Sequence, residues 1–181
     1  RLTAFLFVMF IRHPSVNAIK DIIFQACIEI WSTGRANAAL SAAPDVEAEL
    51  GKTCTWKISR PLILLHCYLN QSQSGLVPAK FEIEHIFPRI WQIANYNGWT
   101  RADAETYLES YGNKVVIEKK INIQAGNGYF GQKKTKYAKS NIANVIDLSN
   151  LSQSDWQQSD IVNREREFTE SIVRFFRTAL T

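Results

Sequence analysis

Two stretches decide the reading: Phe81-Glu82-Ile83-Glu84-His85-Ile86-Phe87-Pro88, and the run from Tyr111-Gly112-Asn113-Lys114-Val115-Val116-Ile117 through Lys119-Lys120-Ile121-Asn122. The first alternates like a strand and ends with an acid and a histidine side by side before a proline. Adjacent strand side chains leave on opposite sides, so Glu84 and His85 are expected to flank a phosphate rather than bond each other. The second runs into a lysine-rich helical segment.

Around these stretches lies a chain of 181 residues, 46% hydrophobic and 12% aromatic, long enough for one sizeable core. That composition excludes a disordered chain, and no low-complexity tract or internal repeat interrupts it. The net charge of +4 is modest, but its distribution is uneven. Between Gly112 and Ser140 stand Lys114, Lys119, Lys120, Lys133, Lys134, Lys136 and Lys139 against the single acid Glu118. Such a cluster is the footprint of a polyanion site, although an arbitrary lysine run is more often a solvated helix face.

Cys27, Cys54 and Cys67 are odd in number and lack CxxC spacing, which points to a reducing compartment and a cytoplasmic location. Cys54 with the neighbours His66 and Cys67 matches structural zinc spacing poorly. The chain opens on Arg1 rather than Met, so a fragment or processed chain is expected. Leu2 to Ile11 is apolar but about half as long as a bilayer span and lacks signal-peptide flanks, so a buried helix is expected and no membrane partner.

Taken in order, His13-Pro14-Ser15 reads as a break, followed by a helix whose apolar face is Val16, Ile19, Ile22, Ile23, Ala26 and Ile30, stopped at Gly34. Residues 35 to 51 read as a short helix or loop. Trp56 to Arg60 reads as a brief extended piece, with Pro61 opening a buried helix through Leu69. Thr100 through Asp103 is a capping-box pattern opening an inserted helix, with Ala104, Tyr107 and Leu108 inward and Gly112 as its stop. Ser154-Asp155-Trp156 reads as the start of a long helix with a core face of Ile161, Phe168, Ile172, Val173, Phe176 and Leu180; Arg164 and Arg166 fall among its polar positions. The expected layout is an N-terminal helical scaffold (1–80), a central motif with an inserted helix (81–140) and a C-terminal helix (141–181) packing back on the scaffold.

Cutting a DNA strand requires a base to deprotonate water and positive charge to meet the transition state and the leaving oxygen. A neutral imidazole serves the first need and a hard divalent cation on oxygen ligands the second. Glu84-His85 supplies one of each, and a further oxygen must come from elsewhere.

Asn113 and Asn122 are separated by eight residues, and the order Glu-His, Asn, eight residues, Asn resembles the HNH nuclease motif. The run from Asn113 to Asn122 is similar to that in the HNH module of RNA-guided CRISPR nucleases. EHIFP, the YGN at 111–113, N-x-x-x-G-N-x-x-F from Asn122 to Phe130, K-K-x-x-Y from Lys133 to Tyr137, and Trp156 followed by Ile161-x-x-Arg164 resemble the C-terminal nuclease half of the GmrSD group, bacterial modification-dependent (type IV) restriction proteins.

The resemblance implies an α+β, mostly helical fold: a ββα-metal HNH motif, β-hairpin plus helix, embedded in a helical scaffold. It implies a DNA endonuclease of a bacterial defence system. His85 would be the general base, Glu84 and Asn122 the ligands of one Mg2+ or Mn2+ ion, and Asn113 a catalytic-site residue that fixes the loop and orients His85. Lys133, Lys134 and Tyr137 would meet phosphate from the helix, joined by Lys114, Lys119, Lys120 and Lys136. The partners implied are DNA, including modified phage DNA, an N-terminal recognition or NTPase half, and a second copy for double-strand cleavage. Two departures stand out: the gap from His85 to Asn113 is long for an HNH hairpin, and glutamate reaches one methylene further than the usual aspartate. The competing readings are a DNA-binding module of this fold that cuts poorly and a metal-free helical regulatory domain.

Overall fold

A computed structural model describes residues 1–12, 15–35, 56–92, 96 and 98–180. In chain order the elements are α1 (Leu2–Arg12), α2 (Val16–Thr33), α3 (Trp56–Leu69), β1 (Phe81–His85), α4 (Arg101–Tyr107), a 3-10 turn (Tyr111–Asn113), β2 (Lys114–Glu118), α5 (Lys119–Ala125), α6 (Phe130–Tyr137), α7 (Ala143–Asn150) and α8 (Gln158–Leu180). The architecture is mostly helical α+β. Among the described residues no helix is long and apolar enough to cross a membrane.

The chain divides into two compact units, one of Arg1–Arg60 with Thr169–Thr181 and one of Pro61–Phe168. In the first, α1 buries Ala4, Phe5, Val8, Met9 and Ile11, as its apolar sequence requires. The end of α8 packs there too: the Phe7 and Phe176 rings lie 6.1 Å apart, and the Arg1 guanidinium donates to the Leu180 carbonyl at 3.1 Å. On α2, Ile19 and Ala26 are buried while Val16 and Ile30 are exposed, so only part of the predicted face turns inward. Gly34 ends α2 as expected, left-handed at φ 69° with its N–H on the Ile30 carbonyl. The expected break at His13-Pro14, and the expectations for residues 36 to 51 and for Cys54, lie outside the described residues.

The second unit is built on β1 paired antiparallel with β2, Phe81 opposite Glu118 and His85 opposite Lys114. A two-stranded ribbon is marginal in water by itself. Here α5 packs on both strands and α7 on β2, with α6 packed against both of those helices. Val115, Val116 and Ile117 are all buried, so both faces of β2 are covered. The long connection between the strands loops out without disturbing the register.

Three expectations about element ends are corrected. Trp56 to Arg60 is helical, and Pro61 lies inside α3 rather than opening it. A proline in mid-helix removes one N–H and normally kinks or breaks the helix, a local penalty that tertiary packing overrides here. The inserted helix begins where its capping box places it: the Thr100 hydroxyl accepts from the Asp103 N–H at 3.1 Å, and the Asp103 carboxylate from the Thr100 N–H at 2.8 Å. It ends at Tyr107, however, and Gly112 lies beyond it in the 3-10 turn. The last helix starts at Gln158, two residues after Trp156, where the Asp160 carboxylate accepts from the Gln157 N–H at 2.9 Å. Its core face, Ile161, Phe168, Ile172, Val173, Phe176 and Leu180, is buried throughout.

Candidate active site around His85

His85 is the last residue of β1, and the chain leaving it is pinned by Asn113. The Asn113 carboxamide accepts from the Phe87 N–H at 2.7 Å and donates to the Phe87 and Leu108 carbonyls, both at 3.0 Å. Its backbone carbonyl accepts from the Ile86 N–H at 2.9 Å. All of this is buried, so the group is fully committed. Asn113 is therefore a positioning residue, which agrees with the role of fixing the loop that the resemblance implies. Phe87 is fixed further by stacking on Trp99 at 3.8 Å, whose indole N–H donates to the Trp156 carbonyl at 3.0 Å.

Glu84 and His85 point to opposite sides of β1, as strand geometry requires. On the buried side, Glu84 Oε1 accepts from Lys133 Nζ at 2.6 Å and from the Tyr137 hydroxyl at 2.7 Å. The same ammonium donates to the His85 and Ile86 carbonyls at 2.7 and 3.1 Å, which occupies all three of its donors. Burial pulls the Lys133 pKa down and Glu84 pulls it back up. Burial, then Glu84, pushes the Tyr137 phenol well above its ordinary value. Both side chains are enclosed, so the expectation that Lys133 and Tyr137 contact phosphate is overturned: they anchor α6 to the end of β1.

On the other side, His85 Nε2 lies 3.4 Å from Glu109 Oε1 and 3.4 Å from Arg89 Nε. Glu109 also accepts from Arg89 Nη2 at 3.0 Å and from Lys114 Nζ at 2.6 Å. Burial is the largest influence on His85 and brings its pKa to about 4; Glu109 acts upward, Arg89 and Lys114 downward. The imidazole is thus neutral at neutral pH and keeps a lone pair for a proton.

Asn122 is a half-buried residue of α5 whose carboxamide makes no hydrogen bond among the described residues. Glu84 Oε2 likewise carries no hydrogen bond there, on a side chain that is 7% exposed. A carboxylate oxygen and a carboxamide oxygen are donors of the kind a hard ion such as Mg2+ accepts. Lys133 weakens the pull of Glu84 without occupying this second oxygen. Among the described residues no three His, Cys, Asp or Glu side chains gather in a metal-sized cluster, as an all-protein zinc site of those donors would require.

The remaining lysines separate by environment. Lys119 and Lys120 are exposed at the start of α5, and Lys136 is half-buried on α6. Lys134 donates to the Leu151 and Gln153 carbonyls, and Lys114 is buried against Glu109, so neither projects freely. Arg164, expected among the polar positions of α8, donates to the Gly112 and Lys114 carbonyls at 2.8 and 2.7 Å and braces the entry to β2.

Glu109 and Arg89 are the site members that sequence reasoning missed. Arg89 directly follows EHIFP and was open to notice on that ground; Glu109, in a loop, carries no periodic or spacing signal. A model of the family described as GmrSD restriction endonucleases, C-terminal domain, matches residues 45–171. No curated protein and no solved structure matches the chain.

Proposed function

Because the chain belongs to the C-terminal-domain family of the GmrSD restriction endonucleases, we propose that this nuclease domain hydrolyses DNA by HNH-type chemistry with His85 as general base. The observation that carries this reading is a neutral imidazole at a pinned strand end, with Lys114 and Arg89 on its open side. His85 takes the proton of a water aimed at phosphorus, and Asn113 keeps the imidazole where that water must lie. Lys119 and Lys120 meet neighbouring phosphates of the strand.

Glu84 and Asn122 would hold one Mg2+ or Mn2+ ion, which supplies positive charge for the transition state and the leaving oxygen. One such site cuts one strand per encounter, so double-strand cleavage calls for a second copy or a second domain. Recognition of the DNA, modified phage DNA included, falls to the N-terminal half of such proteins.

Plasmid DNA incubated with Mg2+ or Mn2+ should be nicked or linearised, and His85→Ala should slow this by about 100-fold or more while leaving the melting transition cooperative. Equal cleavage by both proteins, or none with any divalent cation, sinks the reading. One observation favours a second reading, DNA binding with little catalysis: Lys133 already neutralises Glu84. In that case DNA binds, nothing is cut, and His85→Ala changes nothing.

A further inference from the structure

We propose that the Glu109 carboxylate occupies the seat of a DNA phosphate, held there by Arg89 and Lys114 beside the neutral His85, and must swing out for substrate to enter. The proposal rests on the nuclease reading of His85. A carboxylate and a phosphodiester both present two oxygens that share one negative charge, and guanidinium and ammonium groups bind either. Glu109 uses both of its oxygens in this way: Oε1 faces Arg89 Nη2 at 3.0 Å and His85 Nε2 at 3.4 Å, while Oε2 takes Lys114 Nζ at 2.6 Å. It therefore covers the imidazole nitrogen that a reacting group must approach.

The charge balance points the same way. Arg89 and Lys114 bring two positive charges against the one of Glu109 beside His85 Nε2. A phosphodiester in the seat carries the same single negative charge as Glu109, so the exchange leaves this balance as it stands. Lys114 is 9% exposed at its side chain, so it needs an anion beside it; Glu109 and Arg89 are 58% and 64% exposed and can leave without opening the core. The backbone on either side of Glu109 is tied, the Leu108 carbonyl to Asn113 Nδ2 and the Ser110 N–H to the Tyr107 carbonyl. Rotation about the Glu109 side chain alone is enough to vacate the seat.

Affinity for a short DNA duplex, read by fluorescence anisotropy with EDTA so that nothing is cut, tests this. Glu109→Gln should bind about tenfold tighter than wild type and Arg89→Gln about tenfold weaker, each the size of one charge-assisted hydrogen bond. Inorganic phosphate should compete better against Glu109→Gln than against wild type. Glu105→Gln, the same charge change at an exposed position on α4, should shift affinity by less than about twofold. Affinity unchanged or weakened in Glu109→Gln, or a gain in Glu105→Gln as large, overturns the proposal. Cleavage is read separately: tighter binding of Glu109→Gln with no cleavage by any form removes the nuclease reading alone. Cleavage lost in His85→Ala with no gain from Glu109→Gln removes the seat alone.

Discussion

Lys133 shows how little a residue's type decides about its job. By sequence it is one lysine in a basic run, yet its ammonium is wholly enclosed and its three donors are spent on Glu84 Oε1 and the His85 and Ile86 carbonyls. One periodic signal was present: Phe130, Lys133 and Tyr137 stand at i, i+3 and i+7 on α6, the spacing of an inward face, and all three are buried. Removing one partner of such a pair leaves a buried charge uncompensated. Lys133→Met should lower the unfolding free energy by about 3–5 kcal/mol in urea titration. A variant that keeps its stability and loses only DNA affinity would restore Lys133 to the phosphate contacts.

Elements were legible where their determinants are local. The capping box of α4 needs only Thr100 and Asp103, three residues apart, and it formed as read. The strand alternation before His85 and the left-handed stop at Gly34 are equally local. Gly112 was misread as a helix stop because its constraint comes from far along the chain: a Cβ there would lie 1.9 Å from the Ile161 carbonyl oxygen on α8. Neither backbone can yield without moving the 3-10 turn that delivers Asn113 to the strand end. Gly112→Ala should therefore cost about 3 kcal/mol or more of stability and reduce cleavage with it, measured by urea titration and plasmid nicking together. A variant as stable as wild type would show that the turn is free to shift away from α8.

For the molecule as a whole, the lysine cluster predicted polyanion binding from composition, and the fold distributes that task unequally. Lys114, Lys133 and Lys134 are taken up by partners inside the protein, whereas Lys119 and Lys120 stand exposed where α5 begins. Replacing Lys119 and Lys120 by glutamine should weaken DNA binding regardless of sequence, leave the melting point unchanged and reduce the log Kd against log salt slope by about two. An unchanged slope would move the DNA path away from α5.

The sequence by itself determined the helical and strand segments, the pairing of an acid and a histidine at a strand end, the family, and the asparagine that fixes the loop, because these rest on periodicity and short spacing. Only the tertiary structure decided what each charged side chain faces. Glu84 meets Lys133 and Tyr137 from 49 and 53 residues away, and His85 meets Glu109 through a loop without pattern. Burial and proximity set whether a charge binds a ligand or a neighbour, and both are properties of packed surfaces that residues distant in the chain create together.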